Sequence, residues 1–239
     1  DMVVYFAGFL LIGGVMIAFT IHITMKRQDP ALIKALEQRN YEAALALATE
    51  RRGVEGQTAE GETALIMALK ANKPEVARAI LNCRFVNANV YTTDTKSSVQ
   101  LAAANGDVQT LTLLLQKGAS AFDIDPDLIH ALIVKGDAAT LELVFKNGFN
   151  LHQEYKGFSF GDYAVIEGQS RIVWLIQKHN GLFQAPEPFV ALALNDAVAL
   201  RTAQKRKNAD KLRFCGYSLE QFAQKINRQT LLESIRNDK

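Results

Sequence analysis

Two cysteines are all the thiols in 239 residues, and Cys83 and Cys215 stand far apart, so no disulfide framework staples this chain. A reducing compartment suits such a pair. Histidine is nearly as scarce. His22, His130, His152 and His179 are scattered, and none lies at metal-ligand spacing from a cysteine or a second histidine. A Walker loop, an H-E-x-x-H helix and a C-x-x-C pair are also missing. Without a convergent constellation the chain reads as non-enzymatic, with no cofactor and no metal. Excess charge is the third shortage. The net charge is +2, with residues 201–239 carrying ten Lys or Arg against four Asp or Glu and the rest mildly acidic. An acidic body with no groove-reading motif argues against nucleic acid as a partner.

What is present is apolar pattern: 49% of residues are hydrophobic and 22% charged, enough for a substantial core. Leu101–Ser120 (LAAANGDVQTLTLLLQKGAS) shows its form. Ala102–Ala104 make a short, slim helix, and Gly106 ends it in the left-handed conformation that glycine adopts freely. Asp107 opens a second helix with Val108, Leu111, Leu114 and Leu115 at three- and four-residue spacing, closed by Gly118. Such a unit cannot bury its stripe alone, so it must stack on copies of itself. Measured by the joint residue, Asn40, Asn72, Gly106, Gly136 and Gly168 recur at steps of 32, 34, 30 and 32 residues.

These units, beginning at Gly61, Ser97, Asp127 and Ser159, resemble the ankyrin-repeat family from about Asp29 to Phe183. Thr63 and Leu65 match the family's T-P-L-H motif and His130 sits at its histidine, although no unit keeps the proline. The resemblance implies an all-α helix-turn-helix solenoid of about five repeats whose partners are proteins. It also implies where they bind: on the exposed face of the inner helices, with Met67, Leu101, Val134 and Tyr163, and on the finger tips, with Tyr91, Phe122, Asp125, His152 and Tyr155. The short step from Gly106 to Gly136 predicts one shortened finger. His130 is expected to hydrogen-bond turn backbone.

Met2–Met25 is 24 residues without a formal charge, longer than the roughly 20 that a helix needs to cross a bilayer. Residues 1–27 therefore read as a retained transmembrane helix ahead of a solenoid at 28–184. Ala7, Leu11, Gly14 and Ala18 share one helical face, and the small pair Gly14 and Ala18 suits packing against other membrane helices. Lys26, Arg27, Lys34 and Arg39 follow the span, which puts the C-terminal part in the cytoplasm. Compactness and the lack of N-x-S/T acceptors fit a bacterial inner membrane. After Pro186, Phe189–Arg213 reads as one long helix and Ser218 as the capping-box start of a final one, making 185–239 a capping region. Its basic cluster, including Arg201, Lys205, Arg206 and Lys207, could meet anionic lipid. The expectation is a membrane-anchored docking scaffold, a non-catalytic subunit of a larger membrane complex. Its rival is a periplasm-facing anchored protein with a stress or protective role.

Overall fold

The computed structural model describes residues 29–205 and 211–237. These divide into two compact units, the first ending at Ala119 and the second beginning at Ser120. The first unit holds three helix pairs: α1 (Ala31–Glu37) with α2 (Tyr41–Thr49), α3 (Ala64–Lys70) with α4 (Pro74–Leu81), and α5 (Ser98–Ala104) with α6 (Val108–Gln116). The second holds four: α7 (Pro126–Lys135) with α8 (Ala138–Lys146), α9 (Phe160–Ile166) with α10 (Ser170–Lys178), α11 (Glu187–Leu194) with α12 (Ala197–Gln204), and α13 (Leu219–Lys225) with α14 (Gln229–Asn237). Within each unit, first helices stack on first helices and second helices on second helices. The second row is thinnest between α10 and α12, because α10 leans on α11 instead.

One device makes every pair. A residue with positive φ ends the first helix: Arg39, Asn72, Gly106, Gly136, Gly168, Asn195 or Asn227. The next residue then sends its N–H back to a carbonyl five positions earlier, closing the helix end with a Schellman bond. These bonds run from Asn40 to Ala35, Lys73 to Ala68, Asp107 to Ala102, Asp137 to Leu132, Gln169 to Ala164, Asp196 to Ala191 and Arg228 to Ala223, at 2.7–3.2 Å. The acceptor is alanine in six of the seven and is buried in all, so the first helix can lie close to its neighbours. Where the residue after the joint is Asn40, Asp107, Asp137 or Asp196, its side chain also caps the second helix.

The structure corrects three expectations here. The first joint is Arg39, one residue before Asn40, which serves as the cap of α2. The Phe189–Arg213 helix is broken, because Asn195 takes the left-handed conformation and Asp196 accepts from the Val198 and Ala199 amides. Asn, with its short polar side chain, is the commonest residue after Gly to do this. The final helix breaks likewise at Asn227, so the described residues hold seven helix pairs where about five repeats and a cap were expected.

Fingers introduce α3, α5 and α9, and a bridge between Phe214 and Tyr217 precedes α13. Gln57 bridges Thr63, Tyr91 bridges Ser97, and β1 (Glu154–Tyr155) pairs with β2 (Phe158–Ser159). The segment before α7 forms no such bridge; Asp125 and Pro126 start that helix early and absorb the shortened step. Among the described residues, no helix is long and apolar enough to cross a membrane. The Met2–Met25 stretch and its Ala7, Leu11, Gly14 and Ala18 face lie outside them.

Arg236 on α14 reaches Glu220 on α13, and this hydrogen bond holds the Glu220 carboxyl at about 2, below its ordinary 4.5. A depressed carboxylate stabilises the fold above its unfolded value and ceases to as it is protonated. The clasp should therefore be complete above pH 4.5 and lost as the pH falls toward 2. Because both groups are half exposed the effect is small. Melting temperatures across that window should fall more for the parent than for Arg236→Gln; parallel curves would dismiss the clasp.

Candidate functional site

Lys156 and Gly157 both have positive φ and form the two-residue turn of the β1–β2 hairpin, the turn whose twist matches paired strands. The hairpin sets Tyr155 opposite Phe158. Ser159 ends it and caps α9 through a capping box with Asp162. Tyr155 is thereby laid flat on Phe160, with ring centroids 6.0 Å apart, and lies 5.8 Å from Tyr163 and 5.5 Å from His130 of α7. His130 meets Tyr163 edge-on at 4.5 Å, and Phe158 covers Tyr163 from the other side at 5.7 Å.

Polar bonds lock the rings in place. The Tyr163 hydroxyl donates to the Tyr155 carbonyl at 3.1 Å, and the Tyr155 hydroxyl donates to the Asp127 carboxylate. Lys156 reaches the same carboxylate oxygen at 3.1 Å while its ammonium lies 4.5 Å over the Tyr155 ring. The result is a rigid, half-buried aromatic face with a carboxylate and an ammonium at its edge. Such a face offers apolar contact and cation–π attraction at little entropy cost.

Of the expected contact residues, Tyr155 and Tyr163 are brought together here. His130 joins them through its ring, in place of the turn hydrogen bond expected of it. His152, Phe122 and Val134 are exposed elsewhere on the second unit. Asp125 is exposed too, but its carboxylate accepts the Asp127 amide at 2.8 Å as the cap of α7. In the first unit Tyr91 is exposed on its finger, while Met67 and Leu101 are half-buried, each five residues before its joint, as Tyr163 is. A cleft of about 200 Å³ in that unit is lined by Val54, Leu65, Phe85 and Val90, with the Phe85 ring largely exposed. Arg206 and Lys207 lie outside the described residues; Arg201 and Lys205 are exposed on α12 and at its end.

Asp127, Phe158 and Phe85 escape sequence reasoning. A Lys-Gly turn between Tyr155 and Phe158 is the hairpin signal that could have found Phe158. Gly157-Phe158-Ser159-Phe160-Gly161 also spells G-x-S-x-G, the spacing of a nucleophile elbow. Its serine is no nucleophile: Ser159 is buried, its hydroxyl donates to Asp162 at 2.7 Å and accepts the Asp162 amide. Among the described residues no group of His, Cys, Asp or Glu is placed to hold a metal ion.

Paired helices with left-handed joints, fingers between the pairs and a fixed aromatic face define a helical-repeat scaffold. Residues 32–125 match the family model described as ankyrin repeats (3 copies), and over that stretch the chain is an ankyrin-repeat solenoid, a fold that suggests protein–protein interaction. A curated relative, XBAT34 of Arabidopsis thaliana, provisionally named an E3 ubiquitin-protein ligase, is 28% identical over 183 residues, 72% of this chain. The match takes in 48% of that protein, so the chain spans about half the relative's length. Similar solved structures include the human ASB11 ankyrin repeat domain, at 18% identity and TM-score 0.43 over 85% of this chain and 96% of that one. An ankyrin repeat domain from Acinetobacter baumannii AYE is 16% identical with a TM-score of 0.38, over 87% and 98%.

Proposed function

We propose that this chain is a non-catalytic docking module held at a membrane by Met2–Met25, with the Tyr155–Tyr163 face receiving a protein subunit of a membrane complex. The observation that carries the reading is the locking of that face: the Tyr155 and Tyr163 rings are fixed by hydrogen bonds and, with His130 and Phe158, stay half open around the buried Phe160. Rigid, partly exposed aromatics are the commonest interface anchors. The membrane part of the reading rests on sequence, on an uncharged stretch followed by Lys26, Arg27, Lys34 and Arg39, and the same asymmetry favours a cytoplasmic solenoid. Gly14 and Ala18 supply the close approach by which neighbouring spans would recognise it. The ligase activity named for the relative is not carried over, since the match takes in 48% of that protein at 28% identity.

Photo-crosslinking in intact membranes tests the docking face. With a photoreactive residue at Phe158, the full chain should give one discrete adduct. Adding Tyr163→Ala should weaken capture by about thirty-fold, the loss typical of an anchor worth 2 kcal/mol or more. An adduct of undiminished yield would remove the face from the interface. Reporters active only in the cytoplasm or only in the periplasm, fused after Lys239, decide the topology; periplasmic activity alone would reverse the orientation.

A further inference from the structure

Trp174, the sole tryptophan of the chain, is 53% exposed on α10, and Val198 is 75% exposed on α12. Both break the pattern of their own repeats. Six residues after the joint, where Trp174 stands, the other pairs carry Arg78, Thr112, Glu142, Arg201, Glu233 and a single apolar residue, Leu45. Three residues after the joint, where Val198 stands, they carry Glu42, Glu75, Gln109, Arg171, Thr230 and the small Ala139. Positions that are mostly polar in the other pairs are here apolar, on two helices of the same unit. The thin packing between α10 and α12 leaves a cleft of about 430 Å³ beside Trp174, lined by Ser170, Arg171, Gln177, Leu194 and Asp196.

Basic residues flank both. Arg171 and Lys178 lie about one turn to either side of Trp174, and Arg201 and Lys205 follow Val198 at successive turns, all exposed. Of the acids nearby, Asp196 caps α12 through the Val198 and Ala199 amides, while Glu142 pairs with Lys178 at 3.1 Å on the exposed surface, so Lys178 is shared between Glu142 and an approaching anion. The Lys178 ammonium lies 5.2 Å over the Trp174 ring. A tryptophan with Arg and Lys a turn to either side, and an aliphatic residue followed by Arg and Lys one and two turns on, have the composition of an interfacial surface, with rings at headgroup depth and cations against anionic lipid. An acidic protein surface would also meet the cations and would take Trp174 as an anchor; what favours lipid is the proposed attachment of the same chain to a membrane.

We propose that the outer face of α10 and α12 docks onto an anionic lipid surface, with Trp174 and Val198 entering the headgroup layer and Arg171, Lys178, Arg201 and Lys205 meeting the lipid phosphates. The proposal rests on the reading that the chain is held at a membrane. It adds a second, reversible attachment made by the repeats themselves.

The single tryptophan reports its own environment. The full chain is reconstituted in nanodiscs of phosphatidylcholine alone or with phosphatidylglycerol added, and Trp174 emission is followed with brominated acyl chains as quencher. In the anionic discs the emission should move to the blue and be quenched; in neutral discs both effects should be weaker. Arg171→Gln and Arg201→Gln should each lower the docked-to-undocked ratio about five-fold, the worth of one basic residue near an anionic surface. Val198→Ser should lower it too. Emission that is unshifted in both discs, or insensitive to lipid charge, would overturn the proposal. A blue shift without quenching by brominated lipid would also overturn it, in favour of a protein contact. If the chain fails to enter discs, the span reading fails on its own. The same chain with added vesicles then gives the same readout, and docking is judged there by the same outcomes.

Discussion

Replacing Asp162 by alanine should lower the unfolding free energy by about 3–5 kcal/mol, the largest loss expected from a single polar side chain in the second unit. Asp162 is fully buried and saturated with donors. One carboxylate oxygen takes the Ser159 amide at 3.1 Å and its hydroxyl at 2.7 Å; the other takes the Gln184 amide at 2.9 Å and the Ala185 amide at 2.7 Å. The residue thus closes the start of α9 and anchors the segment that leads into α11. That segment comes close enough for a Cβ on Gly161 to meet the Leu182 carbonyl oxygen at 2.3 Å, so only glycine fits there. Alanine would leave four donors without a partner in a dry site, and asparagine would turn an amide group toward two of them. Guanidinium unfolding followed by circular dichroism should show both variants well below the parent, alanine lowest. Midpoints equal to the parent's would mean that water reaches this site.

Leu114→Ala should cost about 2–5 kcal/mol, because the side chain is fully buried and its loss leaves a cavity that short, closely stacked helices cannot close. Leu111 and Leu115, 1% and 2% exposed, should behave alike. Together they form the stripe by which α6 packs against α5 and α4. Urea unfolding of the three variants measures this directly, and an unchanged midpoint for Leu114→Ala would mean that the helix is placed in the wrong register.

How much of this could be read in advance depended on which residue marked each turn. Gly106, Gly136 and Gly168 announce their joints, and the leucine stripe of α6 follows from spacing alone. Asn195 and Asn227 use the same geometry with the residue that marks the joint at Asn72, a weaker signal than glycine. Their signal was diluted further because the step from Gly168 to Asn195 shrinks to 27 residues. Arg39 in a left-handed turn has no compositional signature. Tyr155 and Tyr163 were legible one at a time; that they touch depends on the hairpin turn at Lys156 and Gly157, and the part played by Asp127 depends on that contact. Trp174 hides in plain composition, among Ile172, Val173, Leu175 and Ile176, where an apolar residue reads as core. Lys117, next to the Gly118 stop, donates to the Cys83 carbonyl at 2.9 Å, a contact that spacing does not reveal.

The seven joints have a consequence for how freely such a chain can change. Each is made by backbone hydrogen bonds around one residue at positive φ, with an alanine five positions before the closing amide in six of the seven. Those few positions carry the instruction for the pair's turn, and the exposed faces of the helices and the finger tips carry none of it. Mutation can therefore rewrite the outward positions, exchanging an arginine for a tryptophan or a glutamate for a valine, while the helix pairs beneath stay the same. Folding and recognition are encoded in separate letters of one repeat, so neighbouring pairs can acquire different surfaces.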